Sequence, residues 1–205
     1  MQSFLLPLFP LGVVLFPDTP LPLHIFEERY KEMIHLVLQK GEEFGVVLAG
    51  KKGVAHIGCT ASIEEVLQKY PDGRMDILTM GRRRFEISEL NEEKNYLQAQ
   101  VTYFEDFGTE TIPLDLRKKA VELFRQLQPE KAVDLFSSQL SFDLARQIED
   151  VELKQVILSM RSEKDRLEHL LDQVPTYLNR HKLADRIRYI APLNGHSKHF
   201  MGDRS

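Results

Sequence analysis

Between Leu8 and Ile34 the chain reads LFPLGVVLFPDTPLPLHIFEERYKEMI, and its four prolines (Pro10, Pro17, Pro20 and Pro22) stand among apolar residues. Proline has no amide hydrogen and a fixed φ. In sheets it is confined to edges, first residues and bulges, and it pushes the residue before it towards extended geometry. The stretch is therefore expected to form short strands broken by bends: strand pieces at Leu5–Leu8 and Val13–Phe16, a turn at Pro17-Asp18-Thr19-Pro20, and a third piece at Leu21–Ile25. From Glu27 the period changes. Tyr30, Met33, Ile34, Val37 and Leu38 recur at three- and four-residue steps up to Gly41, which predicts one amphipathic helix with a glycine stop.

Outward from this stretch the chain stays strand-like for some distance. Phe44 to Ala49 is an apolar run suited to a buried strand, Gly50-Lys51-Lys52-Gly53 is a polar turn, and Val54 to Val66 alternates loosely. Pro71-Asp72-Gly73 predicts a hairpin turn into Arg74–Met80, and Gly81 allows a bulge or bend before Arg82–Ile87. After a polar turn at Asn91–Asn95, Tyr96–Phe104 alternates as a last strand. Short strands, one embedded helix and no βαβ rhythm predict a mostly antiparallel barrel or curled sheet over residues 1–112.

Beyond Pro113 the pattern is helical. Leu116, Ala120, Leu123, Phe124 and Leu127 make one stripe, Val133, Leu135, Phe136 and Leu140 a second, and Leu144, Ala145 and Ile148 a third. Val151–Met160 gives a fourth helix. Ser162-Glu163-Lys164-Asp165 reads as a capping box opening a fifth, with Leu167, Leu170, Leu171 and Val174 facing the core and Pro175 ending or kinking it. Residues 113–191 are expected to form a helical bundle and 192–205 a flexible tail, so the fold class is α+β.

Composition narrows the function classes. The 205 residues are 42% hydrophobic and 28% charged with a net charge of −4, which suits a globular protein and offers no broad basic face for nucleic acid. The single cysteine, Cys59, excludes an internal disulfide and a cysteine-built zinc site, and reads as a small buried strand residue in a reducing cytoplasm. No apolar run approaches a membrane span and the N-terminus lacks a signal-peptide pattern, so a cytoplasmic location is expected.

Several segments carry a resemblance. Leu6-Pro7-Leu8-Phe9-Pro10-Leu11, Val14-Leu15-Phe16-Pro17, Leu21-Pro22-Leu23-His24-Ile25-Phe26-Glu27 and Arg29-Tyr30 resemble the opening signature of the N-terminal domain of the ATP-dependent Lon protease. Phe44-Gly45-Val46-Val47, Gly58-Cys59-Thr60-Ala61, Asp72-Gly73-Arg74, Gly81-Arg82-Arg83-Arg84-Phe85 and Tyr96-Leu97 fall where that family places its strands and turns. The helical half is similar at Leu140-Ser141, Lys154-Gln155 and Arg166-Leu167, so the likeness covers about residues 4 to 180. It implies a PUA-like pseudobarrel, related to RNA-binding barrels, followed by helices. It also implies a role in holding polypeptide substrates and supporting oligomer assembly. The Lon ATPase and its Ser-Lys protease domain would need several hundred more residues, so the resemblance implies the front end alone, with no enzyme activity.

Individual residues were weighed against this. Gly45-Val46-Val47-Leu48-Ala49-Gly50-Lys51 has most of the phosphate-loop spacing, but Lys52 stands where the metal-binding Ser or Thr belongs and the middle residues read as a strand. Serines such as Ser62, Ser88 and Ser159 lack a glycine-flanked nucleophile turn. His24, His35, His56 and His169 show no zinc spacing, and His196 and His199 lack a thiol or acidic partner, so no metal or cofactor is expected. Glu27, Glu28 and Arg29 read as charges entering a helix.

Two features stay open. Strand alternation places Arg82 and Arg84 on one face and Arg83 with Phe85 on the other. Arg82 and Arg84 are candidates for contact with an anion or RNA, against simple pairing with Asp76 and Glu86. Apolar side chains around Phe9, Phe16, Pro17, Phe26, Phe104 and Phe107 exceed what a small barrel holds. Phe16, Pro17, Phe26 and Phe104 are therefore candidates for a peptide-binding groove, against core packing. The preferred reading is a non-catalytic polypeptide-recognition module for unfolded or extended chains, acting alone, as a homo-oligomer, or with a protease or chaperone. RNA binding is the alternative, disfavoured by the acidic net charge, and an ATP-independent hydrolase with a site assembled from distant residues is the third.

Overall fold

The computed structural model describes residues 5–50, 53–108, 111–128 and 130–190. In chain order the elements are β1 (Leu6–Leu11), β2 (Pro20–Ile25), α1 (Glu28–Lys40), β3 (Phe44–Gly50), β4 (Gly53–Lys69), β5 (Met75–Asn91), β6 (Gln98–Tyr103), α2 (Leu114–Leu127), α3 (Leu140–Ala145), α4 (Val151–Ser159) and α5 (Glu163–Ile190). The strands run β2-β5-β4-β3-β1-β6, and a further β5–β6 pairing closes β5, β4, β3, β1 and β6 into a barrel with β2 left at an edge. Pairing is antiparallel throughout except between β1 and β3, which are parallel with Leu8 opposite Gly45. The expected α+β fold, a mostly antiparallel barrel followed by helices, is what the chain forms.

The barrel interior follows from side-chain alternation. Leu6 and Leu8 of β1 point inward with Val47, Phe85, Ile87 and Ala99. Phe85 is the plug, and its room is made by glycine: a Cβ on Gly45 or Gly58 would stand 2.7 or 2.6 Å from the Phe85 ring. The opposite face of β1 presents Phe9, whose ring lies 4.1 Å from that of Tyr30 on α1 and 6.2 Å from that of Phe44. Tyr30, Met33, Ile34 and Val37 bury the predicted stripe of α1, which ends at Gly41 in the left-handed region (φ 64°).

The helices share this outer core. Leu140, Leu144, Ile157, Leu167, Leu170 and Val174 belong to one apolar cluster with Phe9, Phe16 and Phe44. The predicted cap of α5 is present, Asp165 N donating to Ser162 Oγ at 3.1 Å.

The structure departs from the sequence reading at four places. Val13–Phe16 is not a strand: the segment crosses the sheet with Leu15 and Phe16 buried, and a Cβ on Gly81 would stand 2.1 Å from the Phe16 carbonyl oxygen. Of the stripe Val133–Leu140, residues 133–139 form loop and turns rather than a helix, and Leu140 opens α3. Local bonds win there, as Phe136 N donates to Asp134 Oδ1 and Gln139 N to Ser137 Oγ, while Arg117 Nη1 takes the Leu135 and Ser137 carbonyls. Of the two expectations for Pro175, ending α5 or kinking it, the first does not hold, since α5 continues to Ile190. Finally, β5 carries a bulge. Cys59 faces Arg84 and Ala61 faces Gly81, so Thr60 alone stands opposite Arg82 and Arg83. Strict alternation fails, leaving Arg82 and Arg83 both exposed and Arg84 buried.

Lys51, Lys52, the 192–205 tail, His196 and His199 lie outside the described residues. The remainder of the would-be phosphate loop is strand, within β3.

Candidate functional site

The β5 bulge sends Arg84 under the helices, where it is 5% exposed. Its Nη1 donates to the Leu158 and Met160 carbonyls, at 3.2 and 2.5 Å, satisfying the open C-terminal end of α4, where a cation is also favoured by the helix dipole. Its Nη2 pairs with Asp106 at 2.5 Å. Arg166 of α5, 1% exposed, grips the same carboxylate with Nη1 and Nη2 at 2.7 and 2.6 Å, and reaches Glu163 at 2.8 Å. Glu163 in turn accepts from Ser141 N and Oγ at the start of α3. One network thus ties β5, the segment after β6, α3, α4 and α5 together.

The protonation states follow from these contacts. Burial works against charge on Asp106, but the hydrogen bonds and charges of Arg166 and Arg84 outweigh it and hold the carboxyl below the ordinary carboxylate range. Burial likewise opposes charge on Arg166 and is outweighed by Asp106 and Glu163, so its guanidinium is held above its usual value. For Arg84 burial prevails over the Asp106 attraction and the value falls. Burial also pushes the Cys59 thiol up to about 12, so it stays a protonated core residue.

Above this network lies a cleft of about 280 Å³, walled by Pro17, Arg82–Arg84, Tyr103–Asp106, Ser138, Gln139, Phe142 and Arg166. Barrel and helices both contribute. The Pro17–Thr19 turn is clamped at its rim: Gln139 Nε2 donates to Asp18 Oδ2 at 2.8 Å, and Arg146 Nη1 to the Asp18 carbonyl at 3.4 Å. Guanidiniums cover the aromatic walls, Arg83 4.0 Å over Tyr103, Arg84 4.7 Å over Phe104 and Arg166 4.3 Å over Phe142. The lining combines guanidiniums, aromatic rings and two carboxylates, a set that suits recognition by stacking and charge.

The cleft brings Pro17 and Phe104 together with Arg82 and Arg84. Phe16 is one layer below, 1% exposed and stacked on Phe142 at 5.1 Å. Phe26 is not part of it. It lies beyond the far end of β2, 59% exposed, its ring stacked on His24. His24 Nδ1 meets Asp76 Oδ1 at 2.5 Å and Tyr70 donates to Asp76 Oδ2. These bonds, His24 first, hold the Asp76 carboxyl below its usual range. The arginines find carboxylates other than the expected Asp76 and Glu86: Arg82 pairs with Glu64, Arg83 with Glu43 and Arg84 with Asp106.

Asp106, Glu163, Arg166, Tyr103 and Gln139 were missed as site residues. Only Arg166 left a signal, a charge at helical spacing within the stripe that carries Leu167, Leu170 and Val174, with Glu163 three residues before it. A larger recess of about 670 Å³ follows the outer side of α2 near Lys118, Leu123 and Leu135, but none of the charged side chains that line it is buried.

Comparison with known proteins gives this architecture a context. Residues 5–198 match the model of the ATP-dependent protease La (LON) substrate-binding domain. Lon protease 1 of Hydrogenovibrio crunogenus is 26% identical over 85% of this chain and 24% of its own length, and Lon protease of Parabacteroides distasonis is 33% identical over 49% of this chain and 13% of its own. The chain thus spans a quarter or less of these relatives. The crystal structure of a Lon N-terminal domain protein from Xanthomonas campestris superposes with a TM-score of 0.69 at 26% identity, covering 82% of this chain and 98% of that one. The N-terminal domain of Mycobacterium avium complex Lon protease shares the fold, with a TM-score of 0.63 at 14% identity over 82% of this chain and 97% of that one. A closed barrel, its covering helices and a family match running almost from end to end agree, and the chain belongs to the Lon substrate-binding domain family.

Proposed function

We propose that the protein is a non-catalytic polypeptide-recognition module that holds unfolded or extended segments, alone, as a homo-oligomer, or in the service of a protease or chaperone. The observation that carries this reading is the match of residues 5–198 to a substrate-binding domain. The cleft supports it, since Pro17 and the exposed ring of Tyr103 offer apolar contact at a junction of barrel and helices, while Phe104, 9% exposed, and Phe16 hold the floor from beneath. Exposed Phe26, stacked on His24, which lines a second recess of about 420 Å³ with Pro22, Leu23 and Leu67, offers a separate apolar contact. RNA binding through Arg82 and Arg84 is the weaker reading, because Arg84 is buried and held by Asp106 and the chain's net charge is −4.

Fluorescence anisotropy with a labelled, permanently unfolded polypeptide, beside a labelled single-stranded RNA, tests it across a salt series. The expected result is polypeptide binding that survives rising salt and exceeds that of folded controls. Binding of RNA alone, weakening steeply as salt rises, overturns the proposal.

A further inference from the structure

The junction cleft has a charge its surroundings do not share. Four guanidiniums line it (Arg82, Arg83, Arg84 and Arg166) against two carboxylates, Glu105 and Asp106, in a chain whose net charge is −4. The two buried arginines are spoken for by Asp106 and Glu163. Arg82 and Arg83 are different: both are exposed, and their partners Glu64 and Glu43 do not line the cleft. Exposed ion pairs of this kind add little stability, so an arriving carboxylate exchanges for Glu64 or Glu43 at little cost. Beside the two arginines stands the exposed ring of Tyr103, with the Arg83 guanidinium 4.0 Å from its centre, while Phe104 is buried beneath. The β5 bulge creates this pairing of chemistries by turning two consecutive arginines to the same side.

We infer that the cleft selects, among polypeptide segments, those that carry a carboxylate next to an aromatic side chain, the carboxylate meeting Arg82 and Arg83 and the ring packing against the exposed side of Tyr103. The inference rests on the polypeptide-recognition reading and gives it a sequence preference. At about 280 Å³ the cleft takes one or two side chains of an extended chain, smaller than the roughly 300–1,000 Å³ typical of small-molecule sites.

The experiment compares three labelled probes on the wild-type protein: a short flexible peptide with two aspartates flanking a phenylalanine, its twin with asparagines, and an unfolded polypeptide poor in acids. The contact is an exposed ion pair, so the acidic peptide is expected to bind about threefold to tenfold tighter than its amide twin. In an Arg82→Gln, Arg83→Gln double variant, whose changes are at exposed positions, that advantage is expected to disappear. Equal binding of acidic and amide peptides by the wild type overturns the inference. If the acid-poor polypeptide binds while the two peptides do not differ, the inference fails and the recognition module stands. If no polypeptide binds, both fail. A single-stranded oligonucleotide that displaces the acidic peptide and binds more tightly assigns the arginines to phosphate and overturns the inference as well.

Discussion

Asp106 is the residue on which barrel and helices depend. It sits in a stretch without regular structure, between Arg84 of the sheet and Arg166 of the last helix, and pairs with both, Glu163 supplying the second negative charge. Removing one partner of a buried ion pair leaves uncompensated charge, so Asp106→Ala is expected to cost about 3–5 kcal/mol in urea denaturation at neutral pH. The cost is pH-dependent with a definite sign. The folded-state carboxyl titrates below its unfolded value, so its stabilisation is complete above the ordinary aspartate value of about 3.9 and is lost as pH falls through the depressed one. Wild type and variant are therefore expected to converge in stability on acidification below about pH 4, and a gap that stays constant to pH 2 would contradict this account. Little of the network was legible. Helical periodicity brought Arg166 to the buried stripe, but Asp106 belongs to no period, and its role exists only because two distant arginines converge on it.

At the scale of elements, β2 shows how the chain handles a free sheet edge. Gly81 N donates to the Thr19 carbonyl, so Thr19 and Gly81 form a hydrogen-bonded pair, and antiparallel alternation makes Pro20–Met80 and Pro22–Leu78 non-bonded pairs. The prolines thus occupy positions whose amide would point away from β5, and the open edge lacks donors there. Replacing both, Pro20→Val with Pro22→Val, is expected to expose two donors and promote edge-to-edge association, seen as a scattering mass that rises with concentration beyond that of the parent protein. An unchanged mass would show that the prolines serve only the bend. Proline logic was readable from the opening stretch, and β2 and α1 follow from it. The β5 bulge was foreseen only as an option at Gly81. It matters because the face given to Arg83 depends on one unpaired residue. The failed helix at Val133–Leu140 has a similar lesson: apolar spacing fitted, but Asp134 and Ser137 capture backbone amides locally and Phe136 ends 74% exposed.

For the molecule as a whole, the apolar core does not stop where the sheet does. Phe16 of the barrel half stacks on Phe142 of the helical half, and the Leu140–Val174 helices share one cluster with Phe9 and Phe44. The sequence suggested a division near residue 112, since periodicity changes from two to three-and-four there; periodicity reports elements and is blind to the contacts between them. A chain cut after Gly108 would bare Phe16 and strip Arg84 of its α4 carbonyls. The full chain is expected to unfold in one transition, with far-UV circular dichroism and tyrosine fluorescence coincident in urea, and the truncated chain to unfold at lower urea. Two separated transitions would instead make the halves independent.

The closed barrel also imposes a schedule. β1 lies between β3 and β6, with Leu6 opposite Ala99 and Leu8 opposite Gly45, so an apolar strand synthesised early waits for neighbours the ribosome delivers later. Closure through such distant pairings is slow, and an unpaired apolar strand is then open to the wrong partner. Pro7 and Pro10 stand inside that strand. Each withholds a backbone donor, so the segment that waits longest is also a poor template for another chain.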